Sequence, residues 1–178
     1  MNGKVTLIVA TVALMTGAVG GVAISAQDKY TLKLPGGIAF SDFKGYEDWR
    51  LISTSKTDDR LKVILGNPTI IAAFKSGIPG NGKPFPEGSK IAKIQWKPKK
   101  STEAPFVVDV PDTLADLFFM EKNTKRFPQT GGWGYAQFDY DPVSGTYRPD
   151  KAGTPSCGDA CHVKVKAKDY VFHPYQKR

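Results

Sequence analysis

The stretch Ser156-Cys157-Gly158-Asp159-Ala160-Cys161-His162 carries both cysteines of the chain and one of its two histidines. Two thiols followed at once by an imidazole can hold a porphyrin covalently: the sulfurs add to the two vinyl groups, and the neighbouring histidine becomes an axial ligand of the iron. The usual motif has two residues between the cysteines, whereas three stand here. Gly158 is the residue best able to supply the backbone angles of a local bulge that absorbs the extra one. The same side chains allow two other chemistries. In an oxidising compartment Cys157 and Cys161 could close a short disulfide ring with no cofactor, although so short a loop constrains the unfolded chain little. They could also join His162 and His173 in a Cys2His2 metal site, though their spacing fits no zinc pattern.

Covalent haem attachment and disulfides both belong outside the cytoplasm, and the N-terminus points there. Lys4 opens a short positive region, Val5 to Val22 is free of charge, and small residues gather at Ala23, Ser25 and Ala26. Residues 1–26 therefore read as a secretory signal peptide with cleavage between Ala23 and Ala26, leaving 27–178 as one exported domain in the periplasm. A retained anchor is the alternative, but the threonines, glycines and small residues at the end of the run favour cleavage and no stable membrane insertion afterwards. The formal net charge is +8. Its lysines are spread along the chain without an arginine-rich block or nucleic-acid motif, so the excess reads as a solvated surface suited to an acidic redox partner.

The elements that must position the motif are mainly strands. Residues 27–45 read as an irregular arm with a turn at Pro35-Gly36-Gly37. Arg50 to Thr54 and Arg60 to Leu65 have the β-branched and aliphatic content of strands. Asn67-Pro68 supplies a cap and a first-turn proline for a short helix from Thr69 to Lys75, stopped by Gly77. After a loop from Ile78 to Gly88, alternation over Ser89 to Trp96 sets Ala92, Ile94 and Trp96 on one strand face and Ile91, Lys93 and Gln95 on the other. Lys97 to Pro105 reads as a basic loop, Leu114 to Glu121 as a strand, and Gly131-Gly132-Trp133-Gly134 as a tight turn feeding a strand from Tyr135 to Tyr140. Asp141 to Pro155 reads as loop, the cysteine motif as a short helical turn, and Asp169 to Tyr175 as a closing strand. The fold class expected is mainly β: a single antiparallel-sheet domain with a few short helices and the haem motif near the C-terminus. Met120, the one methionine left after cleavage, precedes the motif, which sets the chain apart from class I cytochromes c; the strands set it apart from helical-bundle haem proteins.

Several stretches together resemble the cytochrome P-460 family: Tyr46-x-x-Trp49, Phe85-Pro86-Glu87-Gly88-Ser89 running into Lys93, Arg126-Phe127-Pro128 followed by Thr130-Gly131-Gly132-Trp133-Gly134-Tyr135, the cysteine motif, and Asp169-Tyr170-Val171-Phe172. The resemblance implies a β-rich homodimer with one haem c per chain, held by Cys157, Cys161 and His162, its iron open on the side away from His162. It implies binding of small nitrogen species such as hydroxylamine or nitric oxide, and oxidation of hydroxylamine with electrons passed to an external acceptor. In that family a lysine is also bonded to the porphyrin, and Lys93 stands where the motif places it; its relatives the β-type cytochromes c′ share the fold without that bond. The chemistry needs a neutral amine, which burial against an apolar haem face would favour. Taken alone, Lys93 reads as one more exposed lysine beside Lys90, Lys97, Lys99 and Lys100.

Asp150, the nearest carboxylate upstream of the motif, is the candidate to take protons from a bound substrate. His173 reads as a histidine at the end of the terminal strand, and as a sixth iron ligand only if the protein is an electron carrier. Phe118, Phe119 and Phe138 read as β-core. The competing functions are a non-catalytic gas-binding or electron-transfer cytochrome, and a haem-free secreted β domain with one disulfide.

Overall fold

The computed structural model describes residues 27–34, 37–150 and 155–178, so the expected signal peptide lies outside the described residues. Six strands form one antiparallel sheet in sequence order: β1 (Arg50–Thr57), β2 (Arg60–Gly66), β3 (Lys90–Ser101), β4 (Val108–Lys122), β5 (Trp133–Asp141) and β6 (Thr146–Pro149). Among the described residues no helix is long and apolar enough to cross a membrane.

Helix α1 (Pro68–Lys75) follows β2. The Asn67 side chain accepts a hydrogen bond from the Ile70 amide, Pro68 takes the position where no amide partner is needed, and Ile70, Ile71 and Ala73 are buried. The second helix, α2 (Pro155–His162), contains the cysteine motif and continues into a 3-10 segment, Val163–Lys168.

Both faces of the sheet are covered, because successive residues of a strand point to opposite sides. On one face Leu117, Phe119, Ala136 and Phe138 meet the N-terminal arm. That arm is irregular, as expected, but it is also core: Leu34, Ile38, Phe40 and Phe43 are all at most 1% exposed. Its short 3-10 turns carry too little periodicity for the burial to show in the sequence. Tyr46 and Trp49 pack on this same face, so the Tyr-x-x-Trp pair is a packing motif. On the other face Ile64, Ile91, Met120 and Tyr135 meet α1, α2 and the C-terminal tail.

Three expectations are corrected. The basic stretch after Trp96 is not all loop, since β3 runs through Ser101 and pairs with a β4 that begins at Val108. Pro98 and Pro111 face each other where the register shifts, the kind of irregularity that tolerates a residue without an amide hydrogen. Lys99 and Lys100 pair across the strands with Asp112 and Asp109 at 3.3 and 2.8 Å. Second, Asp141 to Pro155 contains β6, brought back by a turn in which the Asp141 carboxylate accepts from the Val143 amide and the Ser144 hydroxyl, both at 2.9 Å.

Third, 169–175 is not a strand. Asp169 and Tyr170 adopt positive φ values of 46° and 65°, which no ladder accommodates. The Asp169 carboxylate is drawn inward to the Lys122 ammonium at 2.8 Å and to the Phe85 amide at 2.7 Å. The apolar Tyr170-Val171 pair is buried in the cavity-side core instead of joining the sheet. Further on, the Gln176 amide donates to the Ile52 carbonyl at 3.1 Å and straps the tail across the sheet to β1.

Candidate functional site

Helix α2 lies against β5, and the closest point is Gly158. A Cβ there would stand 2.3 Å from Tyr135 Cγ and 2.5 Å from Tyr135 Cβ. Gly158 has no left-handed backbone, so its role is not the bulge expected from the sequence. The three-residue spacing is absorbed by a continuous helix, on which positions 157 and 161 are one turn apart on the same face. The missing side chain at Gly158 is what lets that helix sit on the Tyr135 ring.

His162 closes α2 and is fixed on three sides. Its ring lies 4.9 Å from that of Tyr135 and 4.8 Å from that of Phe172, centroid to centroid. Nδ1 is 2.6 Å from the Tyr170 carbonyl oxygen. A carbonyl only accepts, so Nδ1 carries the proton and donates, which leaves the Nε2 lone pair for another partner. Burial, more than any other effect, holds the His162 pKa below its ordinary 6.5, and Lys93 adds to it; the ring is kept neutral and able to ligate.

A cavity of about 420 Å³ opens beside it. Ile64, Ile91, Phe118, Met120 and Phe172 give it apolar walls, and Cys161, His162, Lys93, Asp150 and His173 also line it. Residues far apart in sequence thus meet in one chamber. Cys161 is an exposed, free thiol, not half of a disulfide. Among the described residues no cluster of three or more His, Cys, Asp or Glu side chains is arranged to hold a metal ion by itself.

Lys93 is not the freely exposed lysine it resembles when read alone. Its Nζ rests 3.9 Å from the centre of the Phe118 ring. Burial first, and then the Lys62 charge, lower its pKa, while Asp116 and Cys161 act in the opposite direction. Asp150 is half-buried where the chain leaves β6, and its amide donates to the Gln137 carbonyl at 3.0 Å. His173 does not end a strand but reaches the cavity wall, with its pKa lowered by burial and by Lys93 and Lys62.

Phe119 and Phe138 are buried core, whereas Phe118, on the opposite face of β4, lines the cavity. Tyr135, Gln137, Met120 and Phe172 went unmarked as cavity residues. The period of two along β4 and β5 places Met120 with Phe118, and Tyr135 with Gln137, so alternation was the signal that could have found them.

The chamber fits a haem by its donors: an imidazole with a free Nε2, a thiol on the same helix turn, and apolar walls wide of both. A β-sheet domain built around such a chamber is suited to hold a haem. Residues 43–173 match the family model for cytochrome P460, and the chain belongs to that family. No curated protein matches it.

Proposed function

We propose that the chain is an exported, periplasmic monohaem cytochrome c that binds hydroxylamine or nitric oxide at an open iron position and oxidises hydroxylamine, passing electrons to an acidic external partner. The observation that carries this reading is the meeting of His162, Lys93 and Asp150 around one apolar chamber. Haem held there would supply a redox-active iron with one position open to a small ligand.

The chain's own residues do the rest. Cys157 and Cys161 would hold the porphyrin through thioether bonds. His162 would hold the iron through Nε2, which the Tyr170 carbonyl makes a stronger donor by accepting from Nδ1. Lys93, tilted towards its neutral form by burial, would offer a lone pair to a haem held there. Asp150, on the chamber wall, accepts protons from the bound nitrogen compound. The apolar walls exclude bulk water and strengthen each of these electrostatic contacts. By resemblance the protein works as a homodimer.

The test is the intact mass, optical spectrum and hydroxylamine turnover of the protein made with haem-attachment machinery. The reading requires a mass increase of one haem, a high-spin spectrum and turnover that falls by about 10²- to 10⁴-fold in Asp150→Asn. A colourless product removes it.

His173 on the same wall favours a second reading, a non-catalytic cytochrome in which this imidazole occupies the remaining iron position. A low-spin, six-coordinate spectrum that becomes high-spin in His173→Asn would establish that alternative.

A further inference from the structure

The cavity face of the sheet is built in rows set by strand register. Nearest α2 are Ile91, Met120 and Tyr135. The next row is Ile64, Lys93, Phe118 and Gln137. Beyond it, at the far end from His162, the row turns polar: Lys62, Gln95, Asp116, Asp139 and Arg148 stand opposite one another in sequence across five strands.

This outer row is held in place. Gln95, only 6% exposed, donates from Nε2 to Asp116 Oδ1 at 2.6 Å. Gln137 donates to Asp139 at 3.0 Å, and the Arg60 Nε lies 4.0 Å from Asp116 Oδ2. The Asp116 side chain is 13% exposed. Lys93 sits one row inward, its ammonium on the Phe118 ring, with Asp116 two residues along on β4 and Lys62 two residues along on β2 from its own cross-strand neighbours. Among the described residues Asp116 forms its ion pair with Arg60 and not with Lys93. Asp116 and Lys62 therefore act on Lys93 through space, in a partly buried setting where charge is weakly screened.

We propose that the row Lys62–Gln95–Asp116 sets the charge on Lys93: Asp116 holds the amine as an ammonium, Lys62 favours the neutral form, and their balance decides at what pH the Lys93 nitrogen carries a free lone pair. The use a cofactor would make of that lone pair rests on the proposed function; the control of charge does not. Deprotonation breaks one N–H bond, sends the proton to water at the rim and leaves the electron pair on nitrogen, with no change of oxidation state. Burial acts on Lys93 in the direction of Lys62. The other groups facing it are Cys161 and His162 from α2, His173 from the tail, and Asp150 beyond β6. Asp116 and Cys161 oppose burial and Lys62, and Gln95 fixes where Asp116 stands. Burial pushes the Asp116 carboxyl up, with Gln95, Arg60 and Lys93 drawing it back, so the pair is sensitive to small changes in the row.

The test is competitive acetylation of the full chain with acetic anhydride from neutral to alkaline pH, with labelling at Lys93 read by peptide mass. It is run on wild type, Asp116→Asn, Asp116→Glu and Lys62→Gln, each with and without attached haem. Asparagine keeps an acceptor for Gln95, so the row survives while its charge is lost. Asp116→Asn should move the Lys93 titration to lower pH and raise its labelling at neutral pH by about three- to tenfold. Lys62→Gln should move it the other way, and Asp116→Glu should restore the wild-type profile. Superimposable profiles, or an upward shift in Asp116→Asn, overturn the proposal. If Asp116→Asn does not fold, an unchanged Lys62→Gln profile overturns it equally. A chain without haem whose Lys93 responds in this way keeps the charge control and loses the proposed function; a haem-bearing chain whose Lys93 ignores both changes does the reverse.

Discussion

Gly158 presses against the Tyr135 side chain so closely that a methyl group added at Gly158 would fall 2.3 to 2.7 Å from three of its carbons. Two of the heaviest demands on the site meet here: the helix bearing both cysteines must lie flat on β5, and Tyr135 must flank the His162 ring. Neither β5 backbone nor a ring packed on the imidazole can give way cheaply. Gly158→Ala should cost about 1–3 kcal/mol through overpacking. It should also lift α2 away from the cavity, so that thermal unfolding shifts down and haem loading falls together. A substitution that lowers neither would show that the helix has room to slide.

A second buried contact holds the other side of His162. The Lys122 ammonium, 5% exposed, is bound by both Asp169 carboxylate oxygens at 2.8 and 3.1 Å and by the Gly131 carbonyl at 2.9 Å. Asp169 precedes Tyr170, whose carbonyl accepts from His162. Asp169→Ala would leave Lys122 charged and unpaired, a loss of about 3–5 kcal/mol. Replacing Lys122 by methionine in the same chain should recover much of it, because no buried charge then remains. Chemical denaturation of the two variants measures this directly, and equal stabilities would refute the pairing.

The sheet was legible because its signals were local: alternation on β3, the aliphatic run of β2, and the Asn67-Pro68 start of α1. Lys93 was legible only through family resemblance, since the burial that distinguishes it from its neighbours comes from Phe118 and the tail, elements far away in sequence. The tail misled for the opposite reason. Tyr170-Val171-Phe172 has the composition of a strand, but the Asp169–Lys122 contact and the positive φ values override propensity. The glycines of Gly131-Gly132-Trp133-Gly134 read as a turn, and Gly131 does adopt φ 64°. What the sequence hid is that a Cβ at Gly131 would stand 2.3 Å from the Tyr170 ring, so the motif also makes room for the segment that supports His162.

The arm supplies a prediction that tests its promotion from linker to core. Phe40 is fully buried and meets Phe119 at 5.2 Å and Phe138 at 4.9 Å between ring centres. Phe40→Ala should destabilise the protein by about 3–5 kcal/mol. The arm is tied down mainly by its apolar side chains, so limited proteolysis should then cut first within 27–45. A variant of wild-type stability would return the arm to the status of a loose cover.

His173 gives the acid side of the stability profile a defined sign. Burial, with help from Lys93 and Lys62, holds its pKa below the ordinary 6.5. The unfolded chain therefore takes up a proton at a pH where the folded chain does not, and stability rises with pH in that window. As pH falls through 6.5 the stabilisation is progressively lost, until the folded-state pKa is passed and the difference becomes constant. His162 acts in the same direction, but in haem-loaded protein an iron-bound His162 would no longer titrate as a free imidazole. The contribution of His173 is therefore best isolated by comparing wild type with His173→Asn in the loaded state. Melting temperatures through the mildly acidic range should fall less steeply in the variant. Identical slopes would mean that His173 reaches solvent freely, and so does not occupy the cavity wall.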